Sequence, residues 1–177
     1  KIGNEISRPQ LQSNCYCDIG LAYLLLDDLI SAREYIQQAQ KYDDPTNNHN
    51  ATALHGIIAL RQGERETAQE AFTKSIAQAD EILAKTPDYY DALDAKGLAL
   101  CGRAVIGNWR LVSERDEVVA EAAETFRKAR KIAPHAGVVK SVLRLFDELT
   151  KCDNDGILKE VRKAAEGVRY NRKEPRR

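Results

Sequence analysis

The sequence predicts an all-α chain assembled from helical hairpins. Three observations carry this. Apolar residues recur at helical rather than strand spacing. One two-helix outline appears three times in order. Each copy closes at a proline, which cannot continue a helix.

In the first copy Tyr16, Ile19, Gly20 and Tyr23 fall on one helical face. Gly20 has no Cβ, so a second backbone can approach it, with the two tyrosines as flanking wedges. Ala32, Ile36 and Ala39 form the matching stripe of a second helix, and Pro45 closes the copy. Ahead of it, residues 1–8 read as a linker or the end of a preceding segment, with Ser7 as a helix cap and Pro9 in the first turn. The first helix is expected to run to about Leu26, a turn to fall at Asp27-Asp28, and the second helix to span about Leu29 to Tyr42. The run Asp43 to Asn50 is a polar loop of turn formers.

The outline returns as His55-Gly56 and Ala59, then Ala68 and Phe72, closing at Pro87. Gly63 marks its tight turn, and its second helix, from Glu64 to about Lys85, carries extra length. Thr86-Pro87-Asp88 reads as a cap, a first-turn proline and an acid at the positive helix end. The third copy is Leu93, Lys96, Gly97 and Leu100, then Ala122, Phe126 and Ala129, closing at Pro134. Its glycine and first alanine are 25 residues apart, against 12 in the other copies. Both helices should therefore lengthen, with a turn at Gly107-Asn108 and a capping box at Ser113-x-x-Asp116. After Pro134, Val138, Val142, Leu145, Phe146 and Leu149 make one amphipathic helix, and Ile157, Leu158, Val161, Ala165 and Val168 another.

Together the three copies resemble the tetratricopeptide repeat family, whose signature is W-x2-L-G-x2-Y, then A-x3-F, then P. The resemblance covers Gln12 to Pro134. Tyr16, Thr52 and Leu93 stand where the family prefers Trp; Ala59 and Leu100 replace its Tyr, and Lys96 its Leu. It implies an α-α superhelix, right-handed, over residues 9–168: units of about 9–46, 49–87 and 88–134, and a terminal helix pair over 136–168 stacked on the third unit as a cap. Residues 169–177 form a basic tail, either a solvated end or a site for phosphate, lipid or nucleic acid.

The resemblance also implies that the first helix of each unit lines a concave face. The partner-binding residues it points to are Asp18, Leu21, Leu24 and Leu25, then Ile57, Leu60 and Arg61, then Asp91, Asp94 and Leu98. One branch of the family grips acidic C-termini with Lys and Asn on this face. Here those slots hold Cys17, Leu21, Leu54, Asp91 and Ala95, so the cations are missing. An aliphatic strip edged by aspartates suits a protein or peptide partner, as an apolar helix or an extended segment with a basic flank. The strip could equally be filled by the chain's own flanking segments or by a second copy in a homo-oligomer. Trp109, in the insertion, is either a partner anchor with Arg110 or a cover for its own hairpin tip.

Charge is balanced at 27 acidic and 27 basic residues, which gives no field for nucleic acid. No apolar run is long enough for a membrane span, and no signal peptide is visible. Four scattered cysteines fit buried small residues in a reducing, cytoplasmic setting. The start at Lys1 and the absence of Met predict a piece of a larger protein. No phosphate-cradling loop, zinc-protease motif or nucleophile elbow occurs, and His49, His55 and His135 are scattered, so no enzyme, cofactor or metal site is expected. Asp88, Asp91 and Asp94 could draw a cation along one helix face or simply offset the helix dipole. The function expected is a protein-binding scaffold. The alternative is a regulatory or sensor arm of a larger nucleotide-switch ATPase or transcription regulator.

Overall fold

A computed structural model describes residues 8–107 and 109–167. The linker over 1–8 with its Ser7 cap, Val168 and the tail over 169–177 lie outside the described residues, Arg8 apart. Within them the chain is all-α, with eight helices in sequential hairpin-like pairs and no strand. They are α1 (Arg8–Leu25), α2 (Leu29–Ala39), α3 (Asn48–Arg61), α4 (Arg65–Lys85), α5 (Tyr90–Ile106), α6 (Val112–Ile132), α7 (Ala136–Thr150) and α8 (Lys159–Glu166). None is long and apolar enough to cross a membrane.

The three stripes of alanine and a large apolar residue are the seams of the hairpins. Ala32, Ile36, Ala39, Ala68, Phe72, Ala122, Phe126 and Ala129 are all fully buried. The glycines opposite them are sites of close approach. A Cβ on Gly56 would stand 2.6 Å from the Phe72 ring, and one on Gly97 would stand 2.7 Å from the Phe126 ring. Phe72 also presses on Gly102 of α5, where a Cβ would come within 2.2 Å. One ring therefore joins α3, α4 and α5. The first hairpin lacks a phenylalanine; a Cβ on Gly20 would instead meet the α2 backbone at Ala32 O, 3.3 Å away. Stacked Tyr16–Tyr42 and Tyr23–Tyr35 pairs, with centroids 6.0 and 5.3 Å apart, brace that hairpin.

The turns inside the first two hairpins are built alike. Gly63 has φ +81°, and Asp27 takes the same left-handed position with φ 64°. Asp28 then caps α2, its carboxylate accepting from Ser31 N at 3.0 Å and Ser31 Oγ at 2.7 Å. Those two hydrogen bonds hold the Asp28 carboxyl below its usual range.

Three details differ from the sequence reading. α2 ends at Ala39, ahead of the expected Tyr42, because Asp44 folds the polar loop back on itself. Its buried carboxylate accepts from Thr46 N and Thr46 Oγ1 at 3.0 and 2.7 Å. The Ser113 capping box does not form: α6 already starts at Val112, so Ser113 lies inside the first turn. Thr86 does not open α5 either. It closes α4, and α5 begins at Tyr90 after Tyr89, which makes no side-chain cap bond.

The terminal pair makes one contact that was not expected. It was expected to stack on the third unit as a cap, and both helices do meet that unit. α8 packs on α6 and α7 on α5, with α7 and α8 also against each other; beyond the expectation, α7 reaches α3 as well, and it meets α6 through Phe146 against Phe126, edge to face at 6.1 Å. α7 has one strongly apolar face, and Val139, Val142, Leu143, Phe146 and Leu149 are all buried in this position. Asp153 fixes the return to α8, its carboxylate accepting from Ile157 N and Leu158 N, both at 2.9 Å.

Gly97→Ala is expected to lose about 1–3 kcal/mol, because the methyl group must displace a ring in a filled core. Gly137→Ala, on α7 with open space around the added Cβ, should gain up to about 1 kcal/mol. Urea denaturation of the two variants checks the contrast.

Candidate interaction face

The face named from the resemblance is formed by α1, α3 and α5, and α7 divides it. Ile57, Leu60 and Leu98 are 0%, 6% and 3% exposed. Leu24 is fully buried too. These four side chains cannot offer contacts to an outside partner as the chain stands. α7 packs on the two helices, α3 and α5, that carry three of them.

An ion pair anchors α7 there. Arg61, at the end of α3, bonds Glu148 of α7 and Asp27 of the first turn. Glu148 is 4% exposed and also accepts from Lys151 Nζ at 2.8 and 2.9 Å. Arg61 is thus a clasp between the α1–α2 turn, α3 and α7, and it is not a free groove cation. Reasoning from sequence missed Glu148. The signal was a carboxylate one residue from Leu149 on a strongly apolar helix face, which demands a partner when buried. Cys101 is fully buried in α5, and burial together with the Asp153 carboxylate pushes its thiol upward. The Cys152 thiol, half-buried near Leu60 O, is likewise raised by burial.

The other part of the face stays open. On α1, Asp18 is exposed, Leu21 half-buried and Leu25 39% exposed. Beside them a polar strip crosses to α3 and α5. Asn47 Nδ2 donates to Cys17 Sγ at 3.6 Å. Asn50 Nδ2 donates to Asn47 Oδ1 at 3.2 Å and to Asp91 Oδ2 at 2.6 Å. His49 Nε2 lies 3.2 Å from the same Asp91 oxygen, with its ring fully buried. Burial alone would raise the Asp91 carboxyl, but the His49 and Asn50 hydrogen bonds prevail and hold it below its usual range. Asp91 therefore presents a negative charge at the mouth, its side chain 40% exposed. Burial raises the Cys17 thiol to about 11, so it is a neutral member of the strip.

The three aspartates read as one helix face do not act together. Asp88 is exposed ahead of α5, Asp91 faces His49 and Asn50, and Asp94 is buried against Arg130 of α6. Among the described residues no group of three or more His, Cys, Asp or Glu side chains is placed to hold a metal. Burial pushes the Asp94 carboxyl up to about 6, against the opposite pull of the Arg130 guanidinium. Trp109 is half-buried, and its indole N–H points back to Ala104 O at 3.4 Å, in its own hairpin.

Two consequences can be measured. Arg61→Ala leaves Glu148 buried with only Lys151 and should cost about 3–5 kcal/mol, most of it recovered when both residues become Met. Denaturant midpoints of the single and double variants decide this. Asp94 takes up its proton near pH 6 when folded and near 3.8 when unfolded. The folded chain holds the extra proton between those values, so stability falls as pH rises from about 4 to 6. Asp94→Asn should flatten that segment of a stability–pH curve while leaving the loss at lower pH intact. In comparisons with known proteins, no family model matches the chain and no curated protein does.

Proposed function

We propose that the chain is a protein-interaction module of tetratricopeptide type that takes an extended peptide with a basic flank. The docking surface is the part of the face that α7 leaves open: Asp18, Leu21 and Leu25 of α1, with Asn50 and Asp91 across from them. The observation that carries the reading is the hydrogen-bonded strip Cys17–Asn47–Asn50–Asp91. It links α1, the start of α3 and the start of α5 into one surface with acid and amide groups toward solvent. Amides can pair with an extended backbone, the aliphatic residues supply a hydrophobic anchor, and the carboxylates favour lysine or arginine beside it. No nucleophile is paired with a base on this surface, and its one histidine is spent on Asp91 and has no exposure.

The test is a fluorescence-anisotropy panel of labelled octapeptides of Leu and Lys against matched peptides of Leu and Glu. The basic set should bind more tightly and weaken with salt. Asp18→Lys should weaken it about tenfold, and Leu21→Asp further, with circular dichroism unchanged in both. Equal binding of the two sets, or no response to Asp18→Lys, sinks the reading.

A further inference from the structure

A second concave site lies away from this face, between the start of α4, the end of α5 and the turn into α6. It is a cleft of about 780 Å³, within the size range of small-ligand pockets. Its less exposed lining is Arg103, Ile106, Gln69 and Trp109; Arg65, Arg110, Glu66, Glu70 and Glu114 form the rim.

Two of these side chains are positioned by the end of α5. The last carbonyls of a helix have no partner within it. Ala104 O accepts from Trp109 Nε1 at 3.4 Å, and Ile106 O accepts from Arg65 Nη2 at 2.8 Å. The indole and one guanidinium are therefore held at the cleft before any ligand arrives. Arg103 is different. Its Nε is buried and has no hydrogen-bond partner. Among the described residues none of Arg65, Arg103 and Arg110 forms an ion pair, although three glutamates stand at the same rim. A buried guanidinium donor without a partner is costly unless an acceptor reaches it.

The chemistry that suits this arrangement is narrow. A guanidinium fork recognises a planar oxyanion through two parallel hydrogen bonds. Beside it, Trp109 and Ile106 offer an aromatic and an aliphatic surface. The rim carboxylates Glu66, Glu70 and Glu114 oppose a dianion such as phosphate more than a monoanion. We propose that this cleft binds a carboxylate carried on an aromatic or apolar body, with the carboxylate at Arg103 and the body against Trp109 and Ile106. The site shares no residue with the peptide surface, so each reading stands or falls separately.

Trp109 is the only tryptophan of the chain, so its fluorescence reports on this cleft alone. The whole chain is titrated with N-acetylphenylalanine and with N-acetylphenylalaninamide, which keeps the ring and lacks the carboxylate. Benzoate and inorganic phosphate complete the set. The acid should give a saturable change, with the amide at least about tenfold weaker and phosphate weaker than benzoate. Arg103→Gln should weaken acid binding at least about tenfold. If benzoate binds more tightly than N-acetylphenylalanine, the ligand is a free organic acid; the reverse order identifies a peptide carboxyl terminus. Equal binding of acid and amide overturns the proposal, as does phosphate binding more tightly than benzoate. So does the absence of any saturable change, or an unchanged affinity in a folded Arg103→Gln chain. Should that variant fail to fold, the acid–amide comparison on the unaltered chain still decides.

Discussion

The ring of Phe72 lies against two glycines that belong to different hairpins, Gly56 of α3 and Gly102 of α5. No side chain larger than hydrogen fits at either place while the ring stays, so one side chain fixes how closely three helices pack. Phe126 repeats the arrangement on Gly97, and its edge meets Phe146 of α7. The constraint therefore passes from the second hairpin to the third and on to the terminal helix. The strip that joins Asn50 to Asp91 across two hairpins spans α3 and α5, the two helices whose approach the Phe72 ring sets.

The placement of α7 is the main functional consequence. A strongly apolar helix near the end of a hairpin array can pack on its neighbour or turn onto the exposed row of first helices. Here it lies against α3 and α5, and Arg61 supplies the charge that Glu148 needs. Water is excluded from the most apolar part of that face. The residues left open are more polar, and their charge is acidic through Asp18 and Asp91. The same division explains why Arg61 sits between two carboxylates and not facing solvent.

Much of the framework could be read from the order of residues. The spacing of Gly20, Gly56 and Gly97, and of the alanines that follow, reports a contact repeated in the first three hairpins, and such contacts leave periodic traces. The hairpin turns at Asp27-Asp28 and Gly63 were legible for a related reason, since a left-handed residue and a carboxylate cap act within four residues. The caps at Thr86 and Ser113 were misread. A local motif is only a preference, and the neighbouring hairpins set where α5 and α6 begin. Asp88, Asp91 and Asp94 show the limit most clearly. Equal spacing suggested one acidic face, but His49, Asn50 and Arg130 sort the last two into different surroundings, and those partners lie 36 or more residues away.

By itself, then, the order of residues determined that the chain is helical, where the hairpins fold and which stripes meet inside each one. These follow from periodicity and from interactions between residues close in sequence. Only the tertiary structure decided that α7 packs on α3 as well as on α5, that Arg61 and Asp94 are internal partners, and that Arg103 and Trp109 share a cleft. Each of those depends on which of several apolar surfaces a helix covers, and that choice is made by shape and charge between segments distant in the chain. No local pattern encodes it.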